Sequence, residues 1–212
     1  MTDDAVDLLL PLDEAADIDP VLDWEVVFGN HNPVELEIGI GKGRFLIDAA
    51  QRCPQVNFVG IEWASKYLRL ALGRIQRRRL YNVRLAHVDA REFVEFFIAS
   101  GTLQAIHLYF PDPWPKKRHH KRRLFDDEFL DQVERVLSPQ GRFWVATDHA
   151  DYHAVMADLL ERRPGLVPAD DPWAGTPTNY EAKYLTEGRP IYRRVLELAP
   201  APQHHSICLP QG

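Results

Sequence analysis

Five acidic side chains lie at the ends of short apolar segments in this chain of 212 residues. Glu37 lies in the first segment, and Glu62, Asp89, Asp112 and Asp148 follow the next four. A single acid in such a place is usually solvated surface, but ligands of parallel sheets bind where the carboxyl ends of the strands meet. Carboxylates gathered there would concentrate negative charge in one cleft. The pattern therefore predicts a ligand that carries cations and hydrogen-bond donors.

A glycine-rich loop directly follows Glu37 and Ile38 and narrows the choice of ligand. Its glycines, spaced as G-x-G-x-G, are Gly39, Gly41 and Gly43. A dinucleotide-binding loop would read G-x-G-x-x-G, and Glu37 would repel the pyrophosphate of NAD. S-adenosylmethionine instead brings a sulfonium, an ammonium, ribose hydroxyls and an adenine amine, all of which carboxylates can bind. The pattern favours S-adenosylmethionine as the cofactor, with Glu62 on the ribose and Asp89 at the adenine end.

A strongly basic segment follows Asp112 after a proline-rich loop. Residues 116–123 read KKRHHKRR, with six formal positive charges in eight residues, although the whole chain has a net charge of −6. The negative charge is concentrated at the amino terminus, where residues 1–25 hold nine acids and no Lys or Arg. A charge run alone is usually a solvated loop, but this one adjoins Asp112, one of the acids at the strand ends. We therefore expect it to bind the phosphates of a nucleic acid.

The elements that must position these residues alternate along the chain. Short apolar segments predict strands over residues 34–38, 57–61, 83–86, 105–110 and 142–147, with amphipathic helices between them. Residues 191–198 alternate in hydrophobicity, which predicts a late strand. Strands and helices at this spacing imply parallel pairing with right-handed crossovers. We predict a doubly wound α/β fold, with a mostly parallel sheet, helices on both of its faces and an antiparallel strand near the carboxyl terminus.

The predicted organisation is one domain with two extensions. Residues 1–25 are expected to form an acidic, largely flexible tail, residues 26–199 the domain, and residues 200–212 a flexible carboxyl-terminal tail. The content of 45% hydrophobic and 26% charged residues is typical of a soluble globular protein. No apolar run approaches the roughly 20 residues that span a bilayer. The amino terminus also lacks the bases of a signal peptide, so we expect a cytoplasmic protein without a membrane partner.

The sequence favours no metal site. Cys53 and Cys208 lack the spacing of zinc ligands or of a disulfide framework. His149 and His153 lie four residues apart, but Ala150 stands where the H-E-x-x-H motif has Glu, and no third ligand has suitable spacing. We therefore expect no metal in the site.

Several segments, in this order, resemble the bacterial tRNA (guanine-N7)-methyltransferases, a class I S-adenosylmethionine-dependent family. They are LEIGIGKGRFL at 36–46, FVGIE at 58–62, YFPDPWPKKRHHKRR at 109–123, VATD at 145–148 and TNYE at 178–181. The resemblance covers about residues 24–198, and the run after the fourth strand is its most specific part. It implies methyl transfer from S-adenosylmethionine to N7 of a guanine in the variable loop of tRNA, which forms 7-methylguanosine.

The resemblance also implies a role for each matching residue. Cofactor contacts would come from Glu37, Gly39, Gly41, Gly43, Glu62, Asp89, Ala90 and Asp112. Asp112 would also be the catalytic residue. Substrate contacts would come from Lys116, Asp148, Thr178, Asn179, Tyr180 and Glu181. RNA contacts would come from Arg118, His119, His120, Lys121, Arg122 and Arg123. The partner would be tRNA, with no obligate protein partner, and the chain would act as a monomer or a homodimer.

The chemistry of methyl transfer to guanine N7 leaves more than one role for Asp112. N7 of guanine has a lone pair and no proton, so we expect Asp112 to orient the base or stabilise its positive charge rather than remove a proton.

The run from Pro111 to Trp114 is close to the Asn/Asp-Pro-Pro-aromatic tetrad, which makes methylation of an exocyclic amine on another nucleic acid or on protein the main alternative. An NAD-dependent oxidoreductase would need the longer glycine loop and a Tyr-x-x-x-Lys pair, which the chain lacks. A non-catalytic RNA-binding module would not need the glycine loop and the acids.

Overall fold

The computed structural model describes residues 8–12, 20–169 and 178–199. The strands are β1 (Val34–Ile38), β2 (Asn57–Ile61), β3 (Val83–Ala86), β4 (Leu103–Tyr109), β5 (Leu137–Thr147), β6 (Leu166–Pro168) and β7 (Tyr192–Leu198). The helices are α1 (Trp24–Phe28), α2 (Arg44–Arg52), α3 (Ser65–Arg78), α4 (Ala90–Phe96), α5 (Asp127–Val136), α6 (Ala150–Glu161) and α7 (Asn179–Thr186). A 3-10 helix spans Lys117–Arg122. The strands form one sheet in the order β3-β2-β1-β4-β5-β7-β6.

Strand pairing confirms the predicted fold class. β1 to β5 pair in parallel, whereas β7 is antiparallel to both β5 and β6. α2 and α3 pack on one face of the sheet, and α4, α5 and α6 pack on the other. Because both faces are covered, the parallel strands are nearly continuous apolar runs, and every residue of β2 and β3 is buried. None of the described helices is long and apolar enough to span a membrane.

The strand order reverses between β1 and β4. From β1 the chain proceeds through β2 to β3 in one direction, and from β4 it proceeds to β5 in the other. The loops after β1 and β4 therefore leave a crevice at the carboxyl edge of the sheet, where ligands bind in such folds. Gly60 in β2 allows close packing beneath this crevice, because a Cβ atom there would lie 2.8 Å from Ile40 and 2.6 Å from Leu46.

Some elements differ from the sequence-based expectation. The sequence predicts that the fifth strand begins at residue 142, but β5 already begins at Leu137, which pairs with Leu103. A register shift before Ala105 and the left-handed backbone of Gln140 (φ 65°) accommodate the irregular start of the strand. The sequence also does not predict α1, α7, β6 or the 3-10 helix. Each of them spans eight residues or fewer, which is too short for a clear periodic signal.

Part of the predicted amino-terminal tail lies against the sheet. Leu8 and Leu10 are buried. The Leu10 amide donates to the Leu85 carbonyl (2.8 Å), and the Leu85 amide donates to the Leu8 carbonyl (2.7 Å), which adds this segment to the edge of β3. α1 spans the boundary predicted between residues 25 and 26. The remaining limits stay a prediction, because residues 1–7, 13–19, 170–177 and 200–212 lie outside the described residues.

Candidate active site

The glycine loop connects β1 to α2 at the crevice. Gly39, Gly41 and Gly43 all have left-handed backbones, with φ values of 74°, 53° and 70°. A side chain would be strained in this conformation, which explains the glycine spacing. Gly43 also packs against α3, since a Cβ atom there would lie 3.0 Å from the Cβ of Ala71. The loop is thus held tightly against two helices while its backbone faces the crevice.

A cavity of about 230 Å³ opens beside this loop. Its walls come from β1, the glycine loop, α2, α3, β4 and the start of α7. Besides the loop backbone, the lining side chains include Glu37, Phe45, Tyr67, Tyr109, Thr178 and Lys183. Lys42 and Arg44 also line the cavity. The site therefore combines aromatic walls with one buried acid and several bases.

Glu37 is the buried acid of this cavity. It is 4% exposed, and its Oε2 atom has no hydrogen-bond partner among the described residues. Burial raises the pKa of Glu37 to about 8; the charge of Glu62 adds to this effect, and a hydrogen bond from the Leu46 backbone opposes it. A buried carboxylate without a full set of partners is costly unless a ligand supplies them. A cationic ligand would meet this need directly.

Glu62 and Asp89 follow along the same edge of the sheet. Both carboxylate oxygens of Glu62 accept backbone hydrogen bonds, one from Gly41 and one from Ala64, each at 2.8 Å. Asp89 caps α4 by accepting from the Arg91 amide at 2.8 Å, and Ala90 is the first residue of that helix. Each Glu62 oxygen keeps a second lone pair for a ligand, whereas Asp89 Oδ1 also accepts from the Glu92 amide at 3.4 Å. The strand order brings these acids and Glu37 into one row, while their cofactor contacts stay predictions.

Asp112 lies on the loop that follows β4, the strand that pairs with β1. Its side chain is exposed and is not among those that line the cavity. Two non-glycine residues with left-handed backbones flank it, Phe110 (φ 54°) and Trp114 (φ 40°). Such conformations cost roughly 1–3 kcal/mol each and often occur at functional sites. The loop is therefore held in a particular shape, while the contact of Asp112 with cofactor or substrate stays a prediction.

The basic segment begins at Lys116 and continues as the 3-10 helix. The exposed residues among those predicted to bind substrate or RNA are Lys116, Arg118, His120, Lys121 and Arg122. Arg122 lies over the ring of Trp114 at 5.0 Å, and His119 meets the same ring edge-on at 5.7 Å. These contacts cover part of Trp114 and attach the basic segment to the loop of Asp112.

Arg123 differs from the exposed predicted RNA contacts in its burial, and its contact with RNA stays a prediction. It is only 7% exposed. Its Nε donates to the Pro113 carbonyl at 2.8 Å, and its guanidinium stacks on Tyr152 at 4.6 Å. The last cation of the run is therefore an anchor that joins the basic segment to the core, because the stiff proline-rich loop leaves carbonyl groups that need donors.

Several predicted substrate residues have protein partners. Thr178 lines the cavity and caps α7 by accepting from the Glu181 amide at 3.1 Å. Glu181 is 3% exposed and pairs with Arg193, and Asp148 pairs with Arg189. Any substrate contact by these two acids would have to be shared with an arginine. The side chains of Asn179 and Tyr180 lie outside the described part of the structure.

The cavity also contains residues that the sequence does not single out. Phe45, Tyr67, Tyr109 and Lys183 line it, although their spacing indicates ordinary core or surface positions. Of these residues, only Tyr109 has a feature in the sequence that could have drawn attention to it. The polar His107 lies two residues before it and interrupts an otherwise apolar strand. Within the described residues, no three His, Cys, Asp or Glu side chains lie close enough together to hold a metal ion.

A solved structure shows the fold of this chain, and a family model shows its class. The aminoglycoside resistance methyltransferase NpmB1 has the same fold, with a TM-score of 0.60 and 19% identity over 83% of this chain and 92% of that chain. A family model described as "Putative methyltransferase" matches residues 31–194. The α/β fold with its glycine loop and row of acids is thus that of a methyltransferase.

Curated relatives define the family. The chain is 39% identical to the tRNA (guanine-N(7)-)-methyltransferase of Syntrophotalea carbinolica, over 80% of this chain and 76% of that protein. It is 38% identical to the enzyme of the same name from Geobacillus thermodenitrificans, over 80% of this chain and 82% of that protein. The chain belongs to the tRNA (guanine-N(7)-)-methyltransferase family, which confirms the resemblance seen in its motifs.

Proposed function

We propose that this chain transfers a methyl group from S-adenosylmethionine to N7 of a guanine in the variable loop of tRNA and so forms 7-methylguanosine. The observation that carries the proposal is the buried Glu37, which lines a cavity beside the glycine loop and has one oxygen without a partner in the described part of the chain. We infer the tRNA substrate from membership of the family. Because that substrate is tRNA, we place the reaction in the cytoplasm.

The residues present fit the cofactor. Glu37 would bind its cationic end, and Glu62 would accept from the ribose hydroxyls while it stays bonded to Gly41. Lys183 and Arg44 offer cations for the cofactor's carboxylate. When bound, S-adenosylmethionine supplies an electrophilic methyl group on its sulfonium.

The acceptor chemistry places modest demands on the protein. N7 already has a lone pair, so the chain must align the base, exclude water and stabilise the positive charge that develops on the ring. Asp112, held between Pro111 and Pro113, is the acid that we assign to this task. Its carboxylate would accept from guanine N1–H and the exocyclic amine, and its charge would balance the cationic product.

The exposed cations of the basic segment are proposed to neutralise tRNA phosphates. Replacing Arg118 and Lys121 together with Ala is expected to lower the slope of log Kd for tRNA against log salt concentration by about 0.7 to 0.9 for each phosphate that is no longer neutralised. The affinity for S-adenosylmethionine should not change. Binding titrations at several salt concentrations measure this slope.

Arg162→Ala is the matched control for the basic segment. Arg162 is an exposed cation next to the end of α6, where it pairs with Asp158. That end of the helix lies at the opposite edge of the sheet from the crevice, so this variant should keep the wild-type slope. An unchanged slope in the double variant would refute the assignment of the segment to RNA.

Labelled methyl transfer followed by nucleoside analysis tests the function itself. The chain is incubated with labelled S-adenosylmethionine and unmodified tRNA, and the digested RNA is expected to contain labelled 7-methylguanosine. A label on an exocyclic amine would support the alternative chemistry instead. Cofactor binding without transfer to tRNA would contradict the proposed acceptor.

A further inference from the structure

A pair of buried polar side chains occurs in the carboxyl-terminal half of β4. His107 is 5% exposed and Tyr109 is 9% exposed. Because residues two apart in a strand face the same side of the sheet, both point toward α2. The ring of Phe45 in that helix packs on both, at 4.7 Å from His107 and 4.9 Å from Tyr109. Polar groups so placed are costly unless they are hydrogen-bonded.

A hydrogen-bond chain satisfies these groups. His107 Nε2 lies 2.9 Å from an oxygen of Glu35 in β1, and His107 Nδ1 lies 2.8 Å from the Tyr109 hydroxyl. A carboxylate only accepts, so Nε2 donates to Glu35. In the neutral tautomer that this bond selects, Nδ1 accepts from the Tyr109 hydroxyl. In that tautomer the hydrogen bonds run from the Tyr109 hydroxyl through His107 to Glu35.

The tyrosine end of this chain lies in the wall of the cavity. Tyr109 and Glu37 both line it, and Glu37 is the register partner of His107 across β1 and β4. Burial and the charges of Glu37, Glu35 and Glu181 raise the pKa of Tyr109 well above its ordinary value of 10. Its hydroxyl thus keeps its proton, and a hydroxyl that donates one hydrogen bond can also accept one from a ligand.

We propose that Glu35 and His107 are positioning residues that hold the Tyr109 hydroxyl as a hydrogen-bond acceptor for the cationic end of the cofactor. The inference rests on the proposed function. It extends that function to three residues outside the row of strand-end acids. In this arrangement Tyr109 and Glu37 present two neighbouring acceptors to one cation, and the imidazole fixes the orientation of the first.

Calorimetric binding of S-adenosylmethionine tests the role of Tyr109. Tyr109→Phe keeps the ring that packs on Phe45 and removes only the hydroxyl. We expect its Kd for S-adenosylmethionine to rise about tenfold or more, the effect of losing one hydrogen bond to a charged group. 5′-Methylthioadenosine lacks the cationic end, so its Kd should stay unchanged. Equal weakening of both ligands, or of neither, would overturn the proposal.

A double-mutant cycle tests the positioning residues. His107→Phe keeps an aromatic ring in contact with Phe45 but removes both nitrogens. If His107 acts through Tyr109, the double variant should bind S-adenosylmethionine no more weakly than Tyr109→Phe alone. Additive losses of affinity would overturn the positioning role. Glu35→Gln still offers an oxygen to Nε2–H and should retain most of the affinity, whereas Glu35→Leu should not.

Two controls distinguish a specific loss of cofactor binding from misfolding and from a general effect of removing a buried hydroxyl. Tyr152→Phe removes the hydroxyl of another buried tyrosine, on the opposite face of the sheet, and should leave cofactor binding unchanged. Thermal unfolding of each variant identifies any that fail to fold. Because binding is measured without RNA, a wrong acceptor would leave these results intact. A folded wild-type chain that did not bind S-adenosylmethionine would overturn both the proposed function and this inference.

Discussion

Asparagine in place of Asp112 is expected to lower kcat for methyl transfer roughly 10²- to 10³-fold, the size of effect seen when one preorganised charge-stabilising group is removed. The asparagine side chain has nearly the same shape as that of aspartate, and the flanking left-handed Phe110 and Trp114 still hold the loop. The substitution therefore removes the charge that would balance the cationic product ring while it preserves the geometry. Single-turnover rates with saturating cofactor and tRNA measure the effect.

The same variant distinguishes an electrostatic role of Asp112 in the chemical step from a role in binding tRNA. An electrostatic role predicts a fall in the chemical rate with little change in tRNA affinity, because phosphate contacts supply most of that affinity. Asp158→Asn is the control, since Asp158 is an exposed acid near the far end of α6. Its rate should match the wild type. Near-native turnover in Asp112→Asn would refute the electrostatic role, because the variant has lost the negative charge.

The arrangement of the sheet could be predicted because its signals are local and repeated. Each parallel strand is a short apolar run, and each is followed by a helix with one apolar face, so the fold class follows from patterning. The edge of the sheet then brings Glu37, Glu62 and Asp89 into one row without further information. Short elements such as α7 could not be predicted in this way, because tertiary contacts and capping by Thr178 stabilise them.

The identity of individual contacts was less predictable. Arg123 belongs to an unbroken basic run, and only the path of the loop shows that it points into the core toward Pro113 and Tyr152. Tyr109 and His107 have the alternation of a buried strand, and their hydrogen bonds depend on the register between β1 and β4. Charge and hydrophobicity are visible in a sequence, whereas the direction in which a side chain points depends on neighbours that are distant along the chain.

Glutamine in place of Glu37 is expected to stabilise the ligand-free protein at pH 8 and to weaken cofactor binding at the same time. Burial raises the pKa of Glu37 in the folded chain from 4.5 to about 8. For a raised pKa, the stability contribution is fully present below pH 4.5 and is lost as the pH rises toward 8. Glutamine stays neutral throughout, so Glu37→Gln should be more stable at pH 8 by an amount on the order of a few kcal/mol. Denaturant unfolding at pH 5 and pH 8 measures the difference, with the exposed Glu161→Gln as the control.

The affinity for the cofactor should fall in Glu37→Gln, although the stability of the ligand-free protein should rise. A cation beside Glu37 favours the ionised carboxylate, so binding to the wild type at pH 7 should release nearly one proton, and affinity should increase between pH 6 and pH 8. Glu37→Gln should lose both effects and bind S-adenosylmethionine about 100-fold more weakly, as expected when a buried charge partner is removed. Calorimetry in two buffers with different ionisation enthalpies counts the released protons. If Glu37→Gln released as many protons as the wild type, Glu37 would not be the group that ionises on binding. The stability that the wild type gives up at this position would then have no connection with the ligand, and the buried acid would need another explanation.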